Sequence, residues 1–232
     1  MANPVLESRR KSSLLSGGTS GFEIKKMVIE YLLQNNAKGS LLDFGAGKGE
    51  LIRILWDKNL FEHVECVDLY DRPFDLAEQI RWHVQDLNDD VESCTLFDWL
   101  VCSEVIEHLE NPRQVFRSFF RLLKPGGTLV LTMPNQESIR AIAALMLGGH
   151  FALFLGSSYP AHITALLRLD LLRIANEAGF VVNEKFYYAN NGRVPKLPSI
   201  SWSSFSFGLL KGRLFSDNLM MVARKPLSDS KM

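Results

Sequence analysis

The feature that most constrains this chain is an alternation of short apolar runs with segments of helical period. Ser40-Leu-Leu-Asp-Phe-Gly45 reads as a buried strand running into a glycine turn, and residues 50–58 follow as a helix. Residues 64–69 and 82–87 read as second and third strands, and 99–103 as a fourth, entered through Phe97 and Asp98. A helix over 112–123 closes at Lys124-Pro-Gly-Gly127, and Thr128–Met133 is a fifth strand stopped by Pro134. Upstream, Ile24, Met27, Val28, Tyr31 and Leu32 recur at helical spacing across 22–34. Downstream, a helix over 166–177 ends at Ala178-Gly179. Strands at 180–188 and 218–224 follow, and the long connection between them suits an antiparallel pair. Strands joined through helices run parallel, with right-handed crossovers.

The predicted class is therefore α/β: a doubly wound, Rossmann-like, seven-stranded mixed sheet with helices on both faces. Residues 1–20, rich in Ser, Gly and basic side chains, are expected to form a flexible N-terminal arm. Residues 21–232 are expected to be a single domain, with substrate-cover insertions around 136–165 and 189–217.

Lys plus Arg and Asp plus Glu are 26 each, so nucleic-acid binding through bulk charge is excluded. The zero hides an asymmetry: residues 41–110 carry 17 acidic and 5 basic side chains, which favours a cationic ligand in that half. Cys66, Cys94 and Cys102 are odd in number and without CxxC spacing, as expected of reduced thiols in a cytoplasmic protein. Met1–Ser20 lacks a charged-then-apolar secretory pattern, and the longest apolar run, Ala141–Gly156, falls short of a bilayer span.

The densest chemical signal is Leu41-Leu-Asp-Phe-Gly-Ala-Gly-Lys-Gly-Glu50. Glycines after a strand let backbone approach a ligand, and the helix that follows offers free N–H groups. A GxGxxG dinucleotide loop needs its third glycine at position 50, where Glu50 stands instead. With Asp43 and Glu50 at close range, the loop suits a non-phosphorylated, partly cationic ligand better than a pyrophosphate.

These residues resemble the first motif of class I S-adenosylmethionine-dependent methyltransferases. The resemblance continues in order through Asp68, Asp86-Leu87, Cys102-Ser-Glu-Val-Ile-Glu-His-Leu109 with Pro112, and Leu122–Leu131, covering about residues 22–190. It implies that Asp43, Gly45, Ala46, Gly47, Asp68, Leu69, Asp86, Leu87 and Ser103 hold S-adenosylmethionine. Asp68 would accept from the ribose hydroxyls and Asp86-Leu87 would flank the adenine. Taken singly, Asp68 also reads as a strand-end cap and Asp86 as a turn residue. Methyl transfer from a sulfonium is an in-line displacement on an activated carbon, so holding the reactants in attack geometry can supply roughly 7–11 kcal/mol.

Past the fourth strand, Glu104, Glu107 and His108 are spaced i, i+3 and i+4, and a helix there would put all three on one face. Two carboxylates and an imidazole suit a divalent ion or acid/base work. The segment is similar to that of ubiquinone-pathway O-methyltransferases and of small-RNA 2′-O-methyltransferases. In the latter, residues matching Glu104, Glu107, His108 and a downstream histidine, here His162, ligate a metal. The four are accordingly the candidate catalytic residues and candidate ligands for Mg²⁺ or another divalent metal. The metal-free reading leaves Glu107 and His108 capping a helix and shaping the pocket, or His108 as general base, its ordinary pKa being about 6.5.

Ala141–Gly156 sits where this fold inserts a substrate cover, and as a lid it would favour an aromatic, quinone-like or lipid-linked acceptor; an ordinary buried helix pair reads equally well. Between Glu184 and Asp217, Lys185, Arg193, Lys196, Lys211 and Arg213 are interleaved with Tyr187, Tyr188, Trp202, Phe205 and Phe207, without an acidic residue. Such a stretch suits an anionic membrane surface or single-stranded nucleic acid, or is a solvated connection. The expected function is O-methylation of a small or lipid-linked acceptor. The rivals are a non-catalytic cofactor-binding scaffold, a nucleic-acid 2′-O-methyltransferase and, against Glu50, a nicotinamide-dependent oxidoreductase. Oligomeric state is not legible.

Overall fold

The computed structural model describes residues 4–91, 95–194 and 197–227. Cys94 and Lys196 fall outside them. The central sheet holds β1 (Ser40–Phe44), β2 (His63–Asp68), β3 (Arg81–Val84), β4 (Phe97–Ser103), β5 (Leu123–Pro134), β6 (Val181–Tyr188) and β7 (Asn218–Arg224). Their spatial order is β3-β2-β1-β4-β5-β7-β6. The first five strands pair in parallel, and β7 runs antiparallel between β5 and β6. The seven-stranded mixed sheet is thus as expected. A small separate ribbon pairs residues 193–194 with 197–201.

The helices are α1 (Pro4–Ser16), α2 (Phe22–Gln34), α3 (Glu50–Asp57), α4 (Pro112–Leu122), α5 (Ile139–Gly148), α6 (Arg168–Glu177) and the short α7 (Trp202–Phe205). Alternation along β1 divides the core. Leu42 and Phe44 join Phe116 and Phe119 of α4 and Leu171 and Ala175 of α6 on one face. Leu41 joins Val28 and Leu32 of α2 and Ile52 and Leu55 of α3 on the other. Both sheet faces are covered, so all five residues of β1 are buried and, after Ser40, the strand reads as a continuous apolar run. Asp43 alone interrupts it.

Three segments differ from expectation. Lys124–Gly127, read as a turn, lies within a longer β5 that starts at Leu123, paired to Phe97 before the register shifts. Residues 4–16, read as an arm, form α1. It has no apolar stripe to betray it, because it is held by polar contacts: Tyr70 Oη donates to Ser13 O (2.7 Å) and Ser12 Oγ to Pro160 O (3.0 Å). In the third, α5, the exposure rules out the buried-pair reading only: Ala141 alone is buried, while Met146 and Leu147 are 79% and 89% exposed. Among the described residues, no helix is long and apolar enough to cross a membrane.

Candidate functional site

The site forms at the carboxyl ends of β1, β2 and β4, where a doubly wound sheet reverses direction. The turn from β1 into α3 requires glycine. At Gly45 (φ +84°) a Cβ would lie 2.3 Å from Val105 Cγ2, and at Gly47 (φ +56°) 2.2 Å from the Gly18 carbonyl oxygen. Gly47 N donates to Asp68 Oδ2 (2.7 Å) and Tyr70 N to Asp68 Oδ1 (2.9 Å), which ties the end of β2 to the glycine loop. Asp43 and Asp68 are both buried. Burial and the neighbouring Asp68 charge push the Asp43 carboxyl up to about 7. Burial raises Asp68 also, against the pull of its backbone donors. Two buried acids beside a glycine cradle fit a ligand with cationic and hydroxyl groups.

Two adjoining cavities divide the expected cofactor residues. One, of about 180 Å³, is lined by Asp43, Gly45, Ala46, Gly47 and Ser103 and reaches Glu107. The other, of about 210 Å³, is lined by Leu69, Asp86 and Leu87. Ser16, Val105 and His108 border both. Glu50, the residue that argued against a dinucleotide, is ion-paired with Lys25 of α2, and both line the first cavity. Arg9 of α1 donates to Asp86 Oδ2 (2.8 Å), while Asn88 N donates to Oδ1 (3.0 Å). Neither Lys25 nor Arg9 carried any sequence signal. Their partners lie 25 and 77 positions away.

The expected face of Glu104, Glu107 and His108 is corrected here. Glu104 has a left-handed backbone (φ +58°), and only Ile106–His108 turn as a short 3-10 segment. Glu104 still lines the first cavity, but its carboxylate accepts from Thr132 Oγ1 (3.0 Å) and Asn218 Nδ2 (2.5 Å) at the sheet edge. Burial raises its carboxyl to about 7.

Glu107, His108 and His162 do converge, with one ligand atom from each within 4.8 Å of the others. The Glu107 carbonyl accepts from Ile163 N (2.9 Å) and Thr164 N (3.0 Å), which draws the His162 segment alongside. His108 Nδ1 lies 2.7 Å from the Ala161 carbonyl and His162 Nδ1 2.6 Å from that of Leu153. A carbonyl only accepts, so each Nδ1 carries the proton and each Nε2 keeps its lone pair. Burial, with His162 nearby, pushes His108 down to about 4, and burial lowers His162 as well. Both rings are neutral near pH 7. Burial and the Glu104 charge hold the Glu107 carboxyl well above the usual carboxylate range. Glu107 Oε2 is buried with no hydrogen-bond partner among the described residues.

An orphaned carboxylate oxygen beside two imidazole lone pairs is a donor set that a divalent cation fits. The Nδ1-to-carbonyl bonds would orient those imidazoles. A cation there would lower the pKa of a bound hydroxyl.

The sheet order, the glycine turn and the acids at the ends of β1 and β2 define a class I α/β cofactor-binding enzyme. The chain belongs to the methyltransferase-domain family, whose model matches residues 22–185, and it is an S-adenosylmethionine-dependent methyltransferase. It is 26% identical over 187 residues to the ubiquinone biosynthesis O-methyltransferase of Xanthomonas oryzae pv. oryzae, spanning 73% of this chain and 76% of that protein. Among solved structures it is similar to the 1,6-didemethyltoxoflavin-N1-methyltransferase of Burkholderia thailandensis, with a TM-score of 0.63, 15% identity, and 97% and 92% of the two chains covered. It is similar also to the N-methyltransferase NodS of Bradyrhizobium japonicum, with a TM-score of 0.56, 17% identity, and 87% and 85% covered. Both were solved with S-adenosylhomocysteine.

Proposed function

We propose that the enzyme transfers the methyl group to a hydroxyl oxygen of a small or lipid-linked acceptor. The observation that carries this reading is the convergence of Glu107, His108 and His162 where β4 opens into the cofactor cavity. An amine already offers a lone pair to the sulfonium carbon, whereas a hydroxyl must also give up a proton. Neutral imidazoles with a free Nε2 can accept it, His108 being a weaker base than a free imidazole because burial lowers it to about 4. As the acceptor oxygen bonds to the methyl carbon, the sulfonium becomes a thioether and the hydroxyl proton passes to His108 Nε2. The 26% identical relative is itself named an O-methyltransferase, which agrees with this assignment. In the second reading, favoured by the orphaned Glu107 oxygen, Glu107, His108 and His162 hold a divalent cation that acidifies the hydroxyl.

The test is a screen with methyl-labelled S-adenosylmethionine against catechols, hydroxylated prenyl-quinone precursors and matched amines. Methyl ethers are expected; label only on nitrogen would overturn the assignment.

In this reading Asp68 accepts from the ribose. Asp68→Ala is expected to weaken S-adenosylhomocysteine binding by about 10- to 100-fold, one lost charge-assisted pair. Calorimetric titration measures it, and unchanged affinity would remove Asp68 from the site.

A lipid-linked acceptor would be met at a membrane surface. Met146, Leu147, Phe207 and Leu209 are 79–98% exposed, and residues 213–215 pack against α5. Lys211 and Arg213 lie in the same acid-free stretch. Cosedimentation with phosphatidylglycerol vesicles, but not with phosphatidylcholine ones, is expected. Leu147→Glu with Phe207→Glu is expected to reduce it about tenfold or more through lost apolar insertion. Equal sedimentation of both proteins would reject the surface.

A further inference from the structure

We infer that α1 is a hinged wall of the cofactor site, latched by Arg9, whose closing also fastens the segment that carries His162. The inference rests on the methyltransferase reading and assigns a role to residues 4–18, which lie outside the matched family region.

Ser8, Ser12 and Ser16 repeat at i, i+4 and i+8 and share one helix face with Arg9 and Ser13. That face lines the cavity whose opposite side is Leu69, Asp86 and Leu87. The apolar residues late in the helix give little to the core: Leu14 and Leu15 are 69% and 55% exposed. A helix in which no side chain from Val5 to Ser16 is fully buried depends largely on its polar contacts. It belongs to the low-stability end of the fold, able to open without unfolding the sheet.

Those contacts define a latch and a hinge. Arg9 bridges Asp86 (2.8 Å) and Glu110, reaching the latter through both Nε (3.0 Å) and Nη2 (2.8 Å). The fork fits a carboxylate bidentately, and the Arg9 side chain is 21% exposed. At the other end, Gly17 and Gly18 both have positive φ (+78° and +62°), and the Gly18 carbonyl accepts from Lys48 N (2.9 Å) on the glycine loop. Between latch and hinge, Ser12 Oγ donates to the Pro160 carbonyl, two residues before His162. The closed wall leaves both cavities in place beneath it, so it roofs the site without filling it. An adenosine group would pass into the Asp86 cavity when α1 lifts and be enclosed when Arg9 returns. In this arrangement Arg9 is a positioning residue: it holds Asp86 and the wall, and need not touch the reacting atoms.

Hydrogen–deuterium exchange and stopped-flow binding of S-adenosylhomocysteine test this on the full chain. Saturating ligand is expected to slow exchange in residues 4–18 by about tenfold or more. Arg9→Ala is expected to speed ligand release by about tenfold or more, the loss of one bidentate charge pair, with association also faster. Arg9→Lys should fall between the two. A merely structural Arg9 would lower the unfolding temperature and leave both rate constants alone, so that outcome overturns the proposal. Unchanged exchange in residues 4–18 at saturation overturns it too. Failure of the wild-type protein to bind S-adenosylhomocysteine would bring down the cofactor reading with it; binding without a change in exchange would reject only the hinged wall.

Discussion

Asp43→Asn is expected to raise the unfolding midpoint of the cofactor-free protein at pH 8 while nearly abolishing cofactor binding. Burial holds the Asp43 proton up to about pH 7, whereas the unfolded chain releases it near 3.9. Between those values the folded state binds more protons than the unfolded one, so stability falls as pH rises and levels off above 7. That loss is on the order of 4 kcal/mol at pH 8, and a neutral, nearly isosteric amide avoids it. For a domain of this size the midpoint should rise by about 8–16 °C at pH 8 and hardly at all at pH 4. The same carboxylate is the charge that a cationic ligand would recruit. Affinity for S-adenosylmethionine in the wild type should therefore climb through pH 7 with proton release, and drop about 100-fold in the amide variant. Scanning fluorimetry and calorimetry in two buffers of different ionisation enthalpy read both effects. Equal midpoint shifts at pH 4 and pH 8 would show that Asp43 is not held protonated by the fold.

Glu107→Gln carries the second large effect. The amide keeps the shape of the pocket and removes the one carboxyl group that could deprotonate to ligate a cation beside the two imidazoles. Mn²⁺ affinity is expected to fall by about 100-fold or more, since even outer-shell partners of a metal site cost 10- to 100-fold. Methyl transfer to a hydroxyl acceptor should fall by about 10²- to 10³-fold, the scale of losing one electrostatic group at a reacting centre. The informative control is Glu104→Gln. Glu104 accepts from Thr132 and Asn218 but its charge still reaches Glu107, so its amide should lower Mn²⁺ affinity clearly less than Glu107→Gln does, while the sequence spacing alone would have made it an equal ligand. Loss of Mn²⁺ binding in Glu104→Gln would show that the carboxylate swings into the cluster. Manganese binding unaffected by Glu107→Gln would remove the metal reading and leave His108 as the base.

Much of this architecture was legible along the chain because its signals are local. A buried parallel strand is a short run of mostly apolar residues, a helix covering it repeats every three to four, and a glycine marks where backbone must turn left-handed. Ser40–Phe44, Phe22–Gln34 and Asn218–Arg224 could be read that way. So could the acids that end β1 and β2, since Asp43 stands out in an otherwise apolar strand.

The acceptor side obeyed no such period. Glu104 looked like a partner of Glu107 only under the assumption of a helix. Its left-handed backbone, and hydrogen bonds to residues 28 and 114 positions away, set its carboxylate apart from the Glu107–His108–His162 cluster. Arg9 gave no hint of Asp86, because an ion pair between segments 77 residues apart leaves no pattern in either. The sequence by itself determined the strands, the helices over them and the glycine cradle, whose causes lie within a few residues of chain. Only the tertiary structure decided which of four candidate ligands meet, and that a serine-rich terminus packs as a wall. Those outcomes depend on close approaches between distant segments and on burial.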